Sequence, residues 1–352
     1  MKIFLDIGHP AHVHYFRKSI KILQEKGHEF LITARNKDVT IQLLDHYKID
    51  YYNRGKGHGN IIGKILYLLK TNFMLFFLAK RFSPDIFLSF ASPYAAQVAF
   101  LLNKDHIAFT DTEHAKLGII SFLPFSKFVL TPAVYKGDLG KKHIRFNGFM
   151  EQCYMDKKSF KKPVHNLDKL KFNKTVFIRL VSWTASHDIG ESGFANEELK
   201  FIIKSLEVNT NILISCEGII PEEFKKYQIM TEPHEIHNLL NFVDLFIGEG
   251  ATMASECAMI GTPAIYVNSL TAGTIIEQER YNLVHRFGSS LGVMDKALEI
   301  LNNQNSKSEY KKRSEKFLSN QIDVNDFINS FIINYPQSAK LLQENPNYKF
   351  NS

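Results

Sequence analysis

Apolar runs of about five residues alternate along this chain with longer segments whose apolar positions recur every three to four residues. Lys2 to Ile7 is the first run. It stops at Gly8, and a segment with helical spacing follows to about Lys26, where Gly27 closes it. His28 to Ala34 is the next run. Further strands are expected at Pro84–Phe90, Ile107–Thr110 and Phe128–Thr131. A second series runs through Thr175–Leu180, Asn211–Ser215, Leu245–Ile247 and Ala264–Val267, with a helix at Glu197–Leu206. From Met294 onward the pattern is helical. Runs without internal alternation suit strands buried on both faces, and strand–helix alternation predicts parallel α/β sheets.

Ile61 to Phe82 is apolar but carries Lys64, Lys70 and Asn72. A bilayer span needs about 20 predominantly apolar residues. Two lysines inside the segment make insertion unfavourable by several kcal/mol. One long helix, mostly packed on a sheet, is expected. Leu75, Phe76 and Phe77, with Lys80 and Arg81, are the positions that would face a membrane surface instead.

The length, 352 residues, exceeds what one small core organises. The division expected is 1–160, 161–320 and a helical segment 321–352 that crosses back to the first domain. Apolar content of 45% and charged content of 22% are those of a soluble globular protein. Cys153, Cys216 and Cys257 are widely spaced, which suggests a reducing compartment without a disulfide framework. The start runs directly into a strand, with no secretory pattern, so a cytoplasmic location is expected. Residues 1–150 hold 21 Lys+Arg against 11 Asp+Glu, so the net charge of +7 is concentrated there. That excess suits an anionic partner, including the inner face of an anionic membrane; no nucleic-acid motif accompanies it.

Chemistry-bearing residues gather where the predicted strands end. His9, His12 and His14 follow the first strand. Imidazole titrates near neutral pH and suits a general base, whereas a His-x-His zinc site lacks further ligands here. Ser92 and Tyr94 follow another strand and, with His12 and His14, are expected to contact acceptor or sugar; Asp111-Thr-Glu-His114 ends the next strand. Asp111 or Glu113 could act as a base, with His114 beside them, or Asp111 could simply cap a helix. Asn53 to Asn60 is a glycine-rich basic loop without a P-loop ending.

The densest pattern is Phe246 to Val267: strand, Gly248-Glu-Gly250 turn, short helix, Gly261 stop and strand. A helix N-terminus behind a glycine turn offers free N–H groups and a partial positive charge, which suits a phosphate. Glu256 lies one turn into that helix, in reach of a hydroxylated group attached to the phosphate.

Gly250-Ala-Thr-Met-Ala-Ser-Glu256 with Gly261-Thr-Pro263 resembles the donor-nucleotide motif of glycosyltransferases with two Rossmann-like domains facing a central cleft, the GT-B fold. The pattern is similar to that of the peptidoglycan N-acetylglucosaminyl transferase and the non-hydrolysing UDP-N-acetylglucosamine 2-epimerases. The chain as a whole resembles an uncharacterised family related to these enzymes. The resemblance rests on Asp6-Ile-Gly-His-Pro10, Asp111-Thr-Glu-His114, Ser182-Trp183, Ser186-His-Asp188 and the glycine motif, over roughly residues 1–290.

The resemblance implies that Gly250, Ala251, Thr252 and Ser255 hold a diphosphate and that Glu256 binds ribose. It matches His9 to a histidine near the reacting sugar and Arg179 to a phosphate-binding arginine. It also places Ser182 and Glu217 toward the nucleotide, and His187, Asp188, Asn268, Gln278 and Glu279 toward the sugar or acceptor. His234 and His237 fall where base recognition occurs, and Trp183 is a stacking candidate.

The function expected is metal-independent glycosyl transfer without a cofactor, from a nucleotide-sugar, UDP-linked by resemblance, to a saccharide or lipid-linked acceptor of the cell surface. A UDP-sugar 2-epimerase or hydrolase, or a non-catalytic nucleotide-sugar binding protein, are the alternatives.

Overall fold

The computed structural model describes residues 1–155, 160–161, 170–181, 194, 196–218, 220–346, 348 and 350. The chain divides into two compact units, Met1–Tyr154 with Ile322–Ser352, and Met155–Gln321.

The first unit is built on seven parallel strands: β1 (Lys2–Ile7), β2 (Glu29–Ala34), β3 (Tyr52–Asn53), β4 (Ile86–Phe90), β5 (Asp105–Phe109), β6 (Phe128–Pro132) and β7 (His143–Phe146). Their order is β3-β2-β1-β4-β5-β6-β7. The winding reverses between β1 and β4, so the loops after these two strands part there and leave room for a ligand. β4 is buried along its whole length, which is why its sequence shows no alternation. Phe4, Phe87, Ala108 and Val129 share one face of the sheet, set by the parallel register. Three helices, Ile61–Phe82, Pro93–Leu101 and Lys116–Phe122, cover that face. On the other face lies the helix Pro10–Glu25, with Phe16 set edge-on to Phe109 at 5.6 Å.

The C-terminal helices Val324–Ile333 and Gln337–Glu344 belong to this unit. Phe327 stacks on Phe146 at 5.2 Å, and Asn325 Nδ2 donates to the Cys153 carbonyl at 2.8 Å.

The second unit carries β8 (Thr175–Leu180), β9 (Asn211–Cys216), β10 (Leu245–Gly248), β11 (Ala264–Val267) and β12 (Val284–Phe287), all parallel, in the order β12-β11-β10-β8-β9. Its winding reverses between β8 and β10. The helix Ala251–Ile260 leaves β10 at that point and ends at Gly261, whose φ is +84°. A Cβ on Gly261 would stand 2.8 Å from Lys311 Cα, so both the backbone conformation and the neighbouring chain require glycine.

Three elements differ from expectation. β7 and β12 were not apparent as strands because both are edge strands, with partly exposed and charged side chains that break up the apolar run. The Ile61–Phe82 helix forms over its full predicted length but is not mostly packed. Tyr67, Thr71, Leu75 and Ala79, a single stripe at i, i+4 spacing, are its buried residues. A helix laid on a sheet buries one stripe, and Leu75 occupies it, whereas Phe77 points outward.

Candidate functional site

In the second unit the residues at the winding reversal are organised by Glu249, the middle residue of Gly-Glu-Gly. Its side chain is buried, and its two carboxylate oxygens accept from Val181 N at 3.0 Å and from Phe194 N at 2.9 Å. One carboxylate therefore ties down both ends of the 181–194 segment, which leaves the end of β8. Asn268 braces the turn from the other side by donating to the Glu249 carbonyl at 2.9 Å. Gly248 is confined as well: a Cβ there would lie 2.4 Å from the Phe246 ring and 3.1 Å from the Arg179 carbonyl.

The helix that follows opens with Gly250 as its N-cap, and no side chain among the described residues caps it. Ala251 and Met253 are partly exposed and Thr252 is exposed, whereas every residue from Ala254 to Ile260 is buried. The helix thus presents an open, uncapped first turn and anchors itself by its remainder. That is the arrangement a diphosphate requires. Further along, Ser255 accepts from Gln278 Nε2 at 2.6 Å in the interior, and Glu256 Oε1 meets His237 Nε2 at 3.1 Å, both residues being buried.

Arg179 does not turn toward the glycine motif. Its guanidinium donates to Ser215 Oγ at 2.6 Å and to Glu217 Oε1 at 3.1 Å, so Arg179 and Glu217 serve each other at the end of β9. Parallel register sets Arg179 beside Ser215, and no local pattern reveals that pairing.

In the first unit a buried network lies under the winding reversal. Asp6 takes Arg54 Nε at 3.0 Å, the Thr33 hydroxyl at 2.7 Å and the Ser92 hydroxyl at 2.5 Å, and both Asp6 and Arg54 are buried. Arg54 also donates to Tyr67 Oη at 2.9 Å and lies over the Tyr94 ring at 4.5 Å. Ser92, expected to touch acceptor or sugar, is an internal brace; it also caps the helix Pro93–Leu101.

His9 and His12 sit above this network. Ala11 N donates to His9 Nδ1 and Gly8 N donates to His12 Nδ1, each at 3.2 Å. A neutral imidazole whose Nδ1 accepts carries its proton on Nε2. Burial, then the charges of Lys37 and Arg35, push His9 down to about 3. Burial and the cations around His12 likewise lower it well below 6.5. Both rings are neutral N–H donors at pH 7, which argues against His9 as the base. His14 is elsewhere: it is buried on the helix and stacks on Tyr154 at 5.0 Å, a packing residue.

Asp111 and Glu113 form a separate group at the end of β5, with β4 between them and the histidines in the sheet. The helix beyond them begins at Lys116 with Ala115 as its cap residue, so Asp111 is not a cap. Burial, and then the Glu113 charge, raise the Asp111 carboxyl to about 6, against the Thr112 hydroxyl that donates to it at 2.9 Å. Glu113 Oε1 accepts from Lys136 N at 3.0 Å. His114 is partly buried in the turn beside them.

Of the remaining candidates, Asn268 and Gln278 are internal braces, and Glu279 pairs with Arg286 at 3.4 Å at the surface. His234 lies 3.6 Å from Glu235. Ser182, Trp183, His187 and Asp188 lie outside the described residues. Among the described residues no group of three His, Cys, Asp or Glu side chains is placed to hold a metal ion. Arg54, Thr33 and Glu249 escaped sequence reasoning. A charged residue between two glycines was the one available signal, for Glu249.

Two parallel sheets with flanking helices, each with its loops parting at a winding reversal, define the class: this is the fold of GT-B glycosyltransferases and UDP-N-acetylglucosamine 2-epimerases. Within it, the chain belongs to the DUF354 family, described as a protein of unknown function, whose model matches residues 1–335. The uncharacterized protein MJ0665 of Methanocaldococcus jannaschii is 26% identical over 285 residues, covering 75% of this chain and 81% of the relative. The UDP-GlcNAc 2-epimerase of Neisseria meningitidis bound to UDP-GlcNAc superposes with a TM-score of 0.66 at 12% identity, over 95% of this chain and 100% of that one. The spinosyn rhamnosyltransferase SpnG, complexed with thymidine diphosphate, gives 0.58 at 11% identity, over 94% and 99%. At such identities the likeness shows the fold.

Proposed function

We propose that this protein is a nucleotide-sugar enzyme of the GT-B fold, and that it transfers the sugar of a UDP-linked donor to a hydroxyl of a saccharide or lipid-linked acceptor. The observation that carries the donor half is the uncapped, open first turn at Ala251–Thr252, standing where the second sheet reverses its winding. Its N–H groups and the helix dipole stabilise the diphosphate as it leaves, the charge stabilisation that a metal ion would otherwise supply. Glu256, held by His237, takes the ribose hydroxyls.

Asp111 is the base in this reading. A catalytic group works best with its pKa near the working pH, and a carboxyl near 6 meets that condition where an imidazole near 3 does not. His9 supplies its Nε2–H to the sugar or to the acceptor.

A second reading, 2-epimerisation or hydrolysis of the same donor, is favoured by the Asp111–Glu113 pair. A carboxyl near 6 beside another carboxyl can both remove and return a proton at a sugar carbon.

The test is calorimetric titration of UDP, GDP and dTDP into the wild type and Glu256→Gln, followed by incubation with UDP-N-acetylglucosamine with and without added acceptors. Selective UDP binding that the variant weakens supports the donor site. Turnover only with an acceptor supports transfer, and turnover without one supports the second reading. If no nucleotide binds, the proposal fails.

A further inference from the structure

The helix Ile61–Phe82 has two apolar faces, and the core uses one of them. Tyr67, Thr71, Leu75 and Ala79 pack down; Leu75 and Ala79 join Phe4, Leu31 and Phe87 of the sheet and its surroundings. At 100° per residue the stripe Ile62, Leu66, Leu69, Phe73 and Phe77 lies on the opposite side. Those residues are open to solvent, Ile62 at 73%, Leu69 at 62% and Phe73 at 68% relative exposure. By length and composition this is the one helix among the described residues that could span a bilayer. Its buried stripe ties it flat to the sheet, so it presents a face and does not cross.

The exposed apolar surface extends beyond this helix. Asn72 Nδ2 donates to Gln97 Oε1 at 2.7 Å, and Gln97 Nε2 to the Ser121 carbonyl at 3.4 Å, which locks the three helices of this layer side by side. Phe100 and Leu101 on the second helix and Leu117 and Ile120 on the third are also exposed. A patch of this extent on a soluble protein marks an interaction surface.

Charge identifies the occupant. Residues 61–82, 93–104 and 115–127 contain no Asp or Glu, but hold Lys64, Lys70, Lys80, Arg81, Lys104, Lys116 and Lys127. A second copy of this chain laid on the face would bring cations against cations. A bilayer with anionic headgroups accepts the aromatic and aliphatic side chains into its interface and pairs its phosphates with the lysines. We infer that this helical layer is a peripheral membrane-docking face, selective for anionic lipid. The inference stands whether or not the proposed reaction does.

Sedimentation of the full chain with vesicles tests it. Phosphatidylcholine vesicles containing phosphatidylglycerol should bind the protein at low salt about ten-fold more tightly, or better, than phosphatidylcholine alone, and added salt should remove the difference. Phe73→Ser with Phe77→Ser should lower partitioning about a hundred-fold or more, and Lys70→Gln with Lys80→Gln about ten-fold. These side chains are exposed, so circular dichroism should show the variants folded as the wild type is. Absence of binding to the anionic vesicles would overturn the inference. So would equal binding to both vesicle types, or a wild-type dimer that Phe73→Ser with Phe77→Ser turns into a monomer.

Discussion

Asp111→Asn should remove activity and at the same time stabilise the protein above neutral pH. The carboxyl has been raised from 3.8 to about 6 by burial and by Glu113. Between those two values the folded protein holds a proton that the unfolded chain has released. Stability therefore falls as pH rises through this window. A tenfold change in proton affinity is worth about 1.4 kcal/mol, so the rise from 3.8 to about 6 corresponds to about 3 kcal/mol. Asp111 is partly open to solvent, which trims the expectation to about 1–3 kcal/mol. Asparagine keeps the oxygen that accepts from the Thr112 hydroxyl and carries no charge to desolvate. Scanning calorimetry at pH 4 and pH 8 provides the assay. The variant should match the wild type at the lower pH and melt higher at pH 8, at about 2–4 °C per kcal/mol for a unit of this size. A variant less stable than wild type at pH 8, or shifted equally at both values, would show that the carboxylate is comfortably paired as an anion, and Asp111 would lose its claim to be the base.

Three other perturbations address neighbouring parts of the argument. Glu249→Gln replaces one of two accepting oxygens with a donor facing a donor, at a cost of about 1.5–3 kcal/mol; hydrogen exchange at Val181 and Phe194 should accelerate, and unchanged protection would dissolve the proposed clamp. Arg54→Met strands the buried Asp6 charge and should cost about 3–5 kcal/mol, while adding Asp6→Asn should recover part of it; additive losses would speak against a paired network. His106, buried between Ser89 and Ser126, is pushed down to about 3. The unfolded chain takes up this proton below 6.5 and the folded protein does not, so stability should fall as pH drops from 6.5 toward 3. In His106→Asn the slope of melting temperature against pH over that range should flatten; an unchanged slope would mean that His106 charges in place.

Much of the fold was readable because its causes are local. A strand buried on both faces must be apolar throughout, so Lys2–Ile7, Thr175–Leu180 and Ala264–Val267 appear with the bounds the sequence suggests. Glycine adopts the left-handed turn that ends a helix without strain, so Gly261 marks its own place. The edge strands β7 and β12 lacked that signature because one side of each is solvated.

The site was legible as a set of strand ends and much less so as a set of roles. Composition and spacing brought forward Asp111, Glu113, His9 and the Gly-Glu-Gly turn, since polar residues after buried strands have few other reasons to cluster. What each does depends on partners far away in the chain. Arg54 is 48 residues from Asp6, Glu249 lies 68 from Val181, and Arg179 is 36 from Ser215. A side chain's protonation and direction follow from what surrounds it, and parallel crossovers bring those surroundings in from distant segments. The sequence alone therefore determined the buried strands, the glycine turn and the cationic, acid-free helices. Tertiary structure decided that burial, with Lys37 and Arg35 nearby, holds the His9 ring neutral, that Arg179 is held by Glu217, and that the longest apolar helix keeps one face for the core and offers the other outward.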